Sequence, residues 1–121
     1  MTVLVIDDEP DIRLLARVGL TASGFTVVVA DGGHQGLRLA REQQPDVILL
    51  DMMMPEMDGS ATLDALRADP ATASIPVLFL TAKALSQIDP CVAAKPRVGI
   101  LRKPFVPREL ASHVREFLDG L

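Results

Sequence analysis

The chain holds a single cysteine, Cys91, so it has no internal disulfide and no zinc site built on cysteines. A reducing compartment is the simplest expectation. Long apolar stretches are missing too, and none approaches membrane-spanning length. The opening residues, Met1-Thr2-Val3-Leu4-Val5-Ile6, lack the basic region and extended apolar segment of a signal peptide, and acidic Asp7 and Asp8 follow at once. A cytoplasmic protein without membrane attachment is predicted. Positive charge is scarce: lysine occurs only at positions 83, 95 and 103, arginine is thinly spread, and the net charge is -4. That balance gives no support for direct nucleic-acid binding, which favours basic surfaces.

With 121 residues, 49% hydrophobic and 23% charged, the composition is that of an ordinary globular protein. The length suits one layered core, and no linker, repeat or low-complexity stretch divides it. One domain over residues 1–121 is expected. Val3–Ile6 reads as a buried strand, and Ile12, Leu15, Val18, Gly19 and Ala22 then fall near helical spacing, with Ser23-Gly24 as a stop. Phe25–Val29 is β-branched and reads as a second strand. Asp31-Gly32-Gly33 reads as a turn before a helix carrying Leu37 and Ala40. Asp46–Leu50 is a third strand, and Gly59 opens a helix with Leu63 and Leu66. Pro76–Leu80 is a fourth strand ending at Thr81, and Val98–Leu101 a fifth ending before Lys103. A last helix starts at Pro107, burying Leu110, Val114, Phe117 and Leu121. Five strand-helix repeats imply an α/β fold, with a parallel sheet, right-handed crossovers and helices on both faces.

The unbroken run Val47-Ile48-Leu49-Leu50 suits a strand buried on both faces, and Asp51 closes it. Open α/β sheets keep their functional crevice at the carboxyl ends of the strands. Asp7, Asp8, Thr81 and Lys103 also follow strands, so the sheet gathers them on one edge with Asp51. Three carboxylates together repel unless a cation intervenes, and a hard divalent ion such as Mg²⁺ suits oxygen ligands. Without it, repulsion raises at least one carboxyl pKa. Asp7 and Asp8 would hold the metal with Asp51, and Met53 offers a backbone carbonyl. A carboxylate nucleophile (Asp51), a metal, an ammonium (Lys103) and a hydroxyl (Thr81) are a kit for phosphoryl transfer.

Four motifs carry a resemblance: Ile6-Asp7-Asp8-Glu9-Pro10, Leu50-Asp51 through Asp58-Gly59, Leu80-Thr81-Ala82, and Lys103-Pro104-Phe105. Over essentially its full length the sequence resembles the receiver domain of two-component response regulators. The resemblance implies a flavodoxin-like doubly wound domain with strand order 2-1-3-4-5. It also implies Mg²⁺-dependent transfer of a phosphoryl group to Asp51 from a histidine kinase or histidine phosphotransfer protein. Asp7 and Asp8 match the acidic metal pair and Met53 the metal-binding carbonyl. Thr81 matches the switch hydroxyl and Lys103 the lysine that meets the phosphoryl oxygen. The Lys103-Pro104 bond is expected to be cis. Output is expected through protein contacts on the face of the fourth helix, fifth strand and fifth helix, with a phosphorylation-dependent dimer left open.

Each residue alone has a plainer reading. Asp7 or Asp8 would cap a helix, Thr81 likewise, and Lys103 would be a solvated lysine; only the joint pattern favours chemistry. Asp58-Gly59 reads as a turn and helix entry, and the methionines at 52–57 as packing around Pro55. His34 and His113 read as surface residues and Cys91 as a small packing residue. The chain departs from the resemblance near its end. Pro96 and Arg97 stand where Gly-Ala is common, and Ile100 where an aromatic is usual. Asp89-Pro90 and Pro96 bracket a fourth helix that is expected to be short, shifted or partly unravelled.

The leading expectation is a phosphorylatable signalling module, with no enzyme activity beyond its own phosphoryl uptake and slow loss. A stand-alone regulator, a phosphorelay intermediate and a piece of a larger protein all fit. The enzyme alternative is a small Mg²⁺-dependent phosphohydrolase forming an aspartyl-phosphate, which would want an acid at position 53, where Met53 stands. A third alternative is a degenerate scaffold, which the intact acids, Thr81 and Lys103 disfavour.

Overall fold

The computed structural model describes the backbone of residues 1–121 and every side chain except that of Leu85. Five strands alternate with five helices: β1 (Thr2–Ile6), α1 (Pro10–Ala22), β2 (Thr26–Ala30), α2 (Gly33–Gln43), β3 (Val47–Asp51), α3 (Gly59–Ala68), β4 (Val77–Thr81), α4 (Pro90–Ala93), β5 (Val98–Arg102) and α5 (Pro107–Asp119). All strand pairs are parallel, in the order β2-β1-β3-β4-β5. This is the flavodoxin-like order that the resemblance implies. The Lys103-Pro104 bond is cis.

The alternation of side chains along each strand divides the core in two. Val3, Val5, Leu49, Leu78 and Leu80 pack against Ala16, Leu20, Leu110 and Val114 of α1 and α5. Leu4, Ile6, Ile48, Leu50, Val77 and Phe79 pack toward Ala40, Leu63 and Leu66 of α2 and α3. Both faces of the central strands are covered, so their apolar runs are continuous rather than alternating.

Some expectations about the helices are corrected. Leu15 and Val18 are exposed, as is Leu14; the buried face of α1 is Ala16, Gly19 and Leu20. Two apolar stripes share this helix, and close packing selects one of them. A Cβ built on Gly19 would lie 2.1 Å from the Pro107 carbonyl oxygen, so only glycine lets α1 meet the start of α5 there. Phe117 is half-buried and Leu121 exposed, because Leu121 lies beyond the end of α5. Cys91 is exposed rather than packed, since α4 buries none of its residues. Gly33 belongs to the first turn of α2 rather than to a turn before it. Among the methionines, Met54 is buried while Met53 is exposed.

Candidate functional site

Asp7 follows β1 directly, Asp51 is the last residue of β3, and Lys103 follows β5. Parallel pairing brings these ends to one edge of the sheet. Asp7 is fully buried, Asp51 is 3% exposed, and the Lys103 side chain is 11% exposed. Lys103 Nζ lies 2.8 Å from Asp7 Oδ2 and 3.5 Å from Asp51 Oδ1. Lys103 is therefore not the solvated residue of the plainer reading.

Asp7 and Asp8 do not cap α1, whose N-cap is Glu9 without a side-chain hydrogen bond. Asp7 Oδ1 instead accepts the Glu9 backbone N–H at 2.9 Å, which turns its carboxyl group back over the strand end. Asp51 Oδ1 accepts the Met53 N–H at 3.2 Å. Among the described residues, Asp51 Oδ2 is buried with no hydrogen-bond partner. An anionic oxygen so placed is costly unless a cation completes it.

Asp7, Asp8, Glu9 and Asp51 each bring a carboxylate oxygen within 4.8 Å of the others. Hard oxygen donors, a buried carboxylate oxygen without a hydrogen bond and an open side toward Asp8 and Glu9 fit a small divalent cation such as Mg²⁺. Burial, and next the charge of Asp7, push the Asp51 carboxyl up to about 7, with the Met53 N–H and Lys103 partly opposing them. Burial alone would lower the Lys103 pKa. Its hydrogen bond and charge pairing with Asp7, helped by Asp51 and Glu9, outweigh that and raise it, so the ammonium persists.

Thr81 is buried at the end of β4. Asp51 pairs with Leu80 in register, which sets Thr81 one residue further along the neighbouring strand. Its Oγ1 accepts the Lys83 N–H at 3.0 Å, closing a local turn rather than capping a helix, and Lys103 N–H donates to its carbonyl at 2.7 Å. The loop after Asp51 is anchored by α3: Asp58 caps it by accepting the Ala61 N–H at 2.8 Å. A Cβ on Gly59 would meet the Asp51 carbonyl oxygen at 2.6 Å, so that helix enters against the backbone of Asp51 itself.

Two residues at the site had no role in the sequence reading. Glu9 Oε1 lies 3.4 Å from Lys103 Nζ. The run Asp7-Asp8-Glu9 was the available signal. Arg13 donates to the Asp7 carbonyl at 2.8 Å from the first turns of α1, a reach that only the fold discloses. His34 is exposed and His113 half-buried, and neither belongs to the acid cluster.

Fold and site together define a doubly wound α/β domain with a cation-ready acidic pocket at the carboxyl edge of its sheet. The family profile of the response regulator receiver domain matches residues 3–115. The chain is 41% identical over 118 residues to the DNA-binding dual master transcriptional regulator RpaA of Synechocystis sp., covering 96% of this chain and 48% of that protein. It is also 41% identical over 118 residues to the transcriptional regulatory protein PrrA of Mycobacterium tuberculosis, covering 96% and 49%. The chemotaxis response regulator CheY4 of Vibrio cholerae superposes with a TM-score of 0.88 at 30% identity, covering 96% of this chain and 97% of that one. This chain belongs to the response regulator receiver domain family. It spans about half the length of the curated relatives it matches. No helix among the described residues is long and apolar enough to cross a membrane.

Proposed function

We propose that Asp51 is the phosphoacceptor of this receiver domain, taking its phosphoryl group from a phosphohistidine on a histidine kinase or histidine phosphotransfer protein. The observation that carries this is the buried Asp51 carboxylate, with Oδ2 uncommitted and Lys103 and Asp7 beside it. A carboxylate oxygen of Asp51 forms a bond to phosphorus as the bond to the donor imidazole nitrogen breaks, and the imidazole leaves with the electron pair. Lys103 offers its ammonium to the phosphoryl oxygens, and Thr81 offers a hydroxyl.

Asp7, Asp8, Asp51 and the Met53 carbonyl would hold Mg²⁺, which supplies charge neutralisation of the carboxylates and of the transferring group. Asp51 attacks as the anion, so a pKa near 7 limits the reactive fraction until a cation lowers it. Position 53, where a hydrolase would place an acid, carries an exposed methionine. That supports a signalling module whose only reactions are phosphoryl uptake and slow loss.

The exposed apolar residues Leu14, Leu15 and Val18 on α1, and Val106 before α5, suit contact with a protein donor. Output would pass to a protein partner through α4, β5 and α5, where Val98 to Leu101 are half-buried. Incubation with acetyl phosphate and Mg²⁺, read by intact mass, tests the assignment. One phosphoryl adduct is expected in the parent and in Asp58→Asn, and none in Asp51→Asn. An adduct retained in Asp51→Asn overturns it.

A further inference from the structure

Away from Asp51, at the edge where the parallel strands begin, two arginines meet one short stretch of chain. Arg67 lies near the end of α3 and is half-buried, and Arg97 is exposed immediately before β5. Arg97 Nε donates to the Ser74 carbonyl at 2.7 Å. Arg67 Nη1 donates to the next carbonyl, that of Ile75, at 2.8 Å, and its Nη2 reaches the Arg97 carbonyl at 3.4 Å. That last carbonyl also accepts the Val77 N–H at 3.0 Å. Both guanidinium groups are thus fixed on backbone oxygens around the start of β4. Among the described residues, Arg67 Nε and the two Arg97 Nη groups make no hydrogen bond.

Among the described residues, no carboxylate pairs with either arginine. The acids of residues 60–97 are Asp64, Asp69 and Asp89, and each has another partner. Asp64, one turn before Arg67 on α3, pairs with Lys95 at 2.7 Å. Asp69 pairs with Arg41 at 2.8 Å, and Asp89 caps α4. Burial, and next the charge of Arg97, lower the Arg67 pKa, as for a cation facing a like charge in a partly desolvated place. Arg97 also sits at φ 59°, in the left-handed region, where glycine would avoid the steric cost that an arginine bears. Holding the Ser74 and Ile75 carbonyls requires N–H donors but not two neighbouring positive charges. Backbone strain and like-charge repulsion kept at one place are the mark of a site with a task beyond stability.

We propose that Arg67 and Arg97 bind the phosphate group of a small phosphate-bearing ligand, at the sheet edge opposite Asp51. Two guanidinium groups offer two charges and forked donors, which match a dianionic tetrahedral oxyanion better than a single carboxylate. Lys95 neutralises Asp64, so the charge of the pair stands unreduced in a chain of net charge -4. The anion relieves the repulsion between the arginines and takes up donors that the backbone carbonyls leave over. It needs neither a metal nor phosphorylation of Asp51, so the site works independently of the acid cluster.

Titration of the full chain with inorganic phosphate tests this, followed by amide and arginine Nε NMR shifts. The solution holds EDTA at constant ionic strength and mildly alkaline pH, where phosphate is a dianion. Saturable shifts are expected at Arg67, Ser74, Ile75 and Arg97, with a low-millimolar or tighter Kd. Acetate, with its single charge, is expected to bind about tenfold more weakly or worse. Arg97→Gln removes the charge at an exposed position and keeps N–H donors; it is expected to weaken phosphate binding by about tenfold or more. Arg97→Gly is expected to weaken it equally, with a urea midpoint no lower than the parent's, because glycine relieves the left-handed backbone. No saturable shift in the parent overturns the proposal, as do shifts centred on the acid cluster, acetate binding as tightly as phosphate, or undiminished affinity in Arg97→Gln. A midpoint that falls in Arg97→Gly while phosphate affinity is kept makes the pair a clasp for the start of β4 and nothing more.

Discussion

Asp51 and Thr81 end neighbouring strands, and the chain that follows each is built to opposite specifications. After Asp51, Met54 is buried, Asp58 caps a ten-residue helix, Gly59 packs on the Asp51 carbonyl, and Leu63 and Leu66 reach the core. After Thr81, among the described side chains, one buried isoleucine and a four-residue helix with no buried side chain complete the crossover. Dense packing on the first side holds the Asp51 carboxylate in place among neighbouring charges. Sparse packing on the second permits movement at low cost. One domain thus joins a firmly packed crossover to a sparsely packed one.

The contrast breaks most visibly at Asp51 and Lys103. Replacing Lys103 with methionine is expected to slow phosphoryl uptake from acetyl phosphate by about a hundred- to a thousandfold, measured as the rate of adduct formation. A loss of less than about tenfold would mean that the packed edge does not orient the charge.

Proton linkage at the same edge is next in size. The Asp51 carboxyl has a pKa of about 7 in the folded, metal-free protein against an ordinary value of 3.8. Between those values the folded form keeps a proton that the unfolded form has released. The associated stability is complete below pH about 4 and is lost as pH rises through about 7, by no more than about 4 kcal/mol. Urea denaturation in EDTA should show stability falling over that window, and millimolar Mg²⁺ should restore it above pH 7. A flat profile in EDTA would place the Asp51 pKa near its ordinary value.

Core substitutions compare the two sides directly. Leu50→Ala, next to the acceptor and wholly buried, is expected to cost about 3 kcal/mol in urea denaturation. Val92→Ala, half-buried on α4, should cost less than about 1 kcal/mol. Equal costs would show that the second crossover is as firmly packed as the first. The smallest effect belongs to the exposed pair of Lys95 and Asp64: Lys95→Gln is expected to change global stability by under about 0.5 kcal/mol. Its trace should appear instead in faster exchange of the amides around Lys95.

Much of the fold was legible because its signals are local. Five apolar runs state where the strands are, four of them leading into Asp7, Asp51, Thr81 or Lys103, and the parallel order then gathers those ends whatever their separation in sequence. Asp89-Pro90 and Pro96 announced a short α4 by capping and breaking chemistry that acts within a few residues. Helix faces were less legible. Leu15 and Val18 have the spacing of core residues, yet Gly19 and the Pro107 carbonyl turn them outward. Cys91 and Leu121 were likewise apolar enough for a core that does not extend to them.

By itself, then, the sequence determined the order of elements, the parallel sheet and which polar groups stand at its edge. These follow from periodicity and from residues that start or stop a strand, which need no knowledge of distant neighbours. Only the tertiary structure decided that Lys103 leans 2.8 Å from Asp7, that Glu9 and Arg13 join the site, and that Asp51 keeps an oxygen without a partner. Those outcomes depend on distance and desolvation between groups as many as 96 residues apart in the chain, Asp7 and Lys103, and only the packed core sets either quantity.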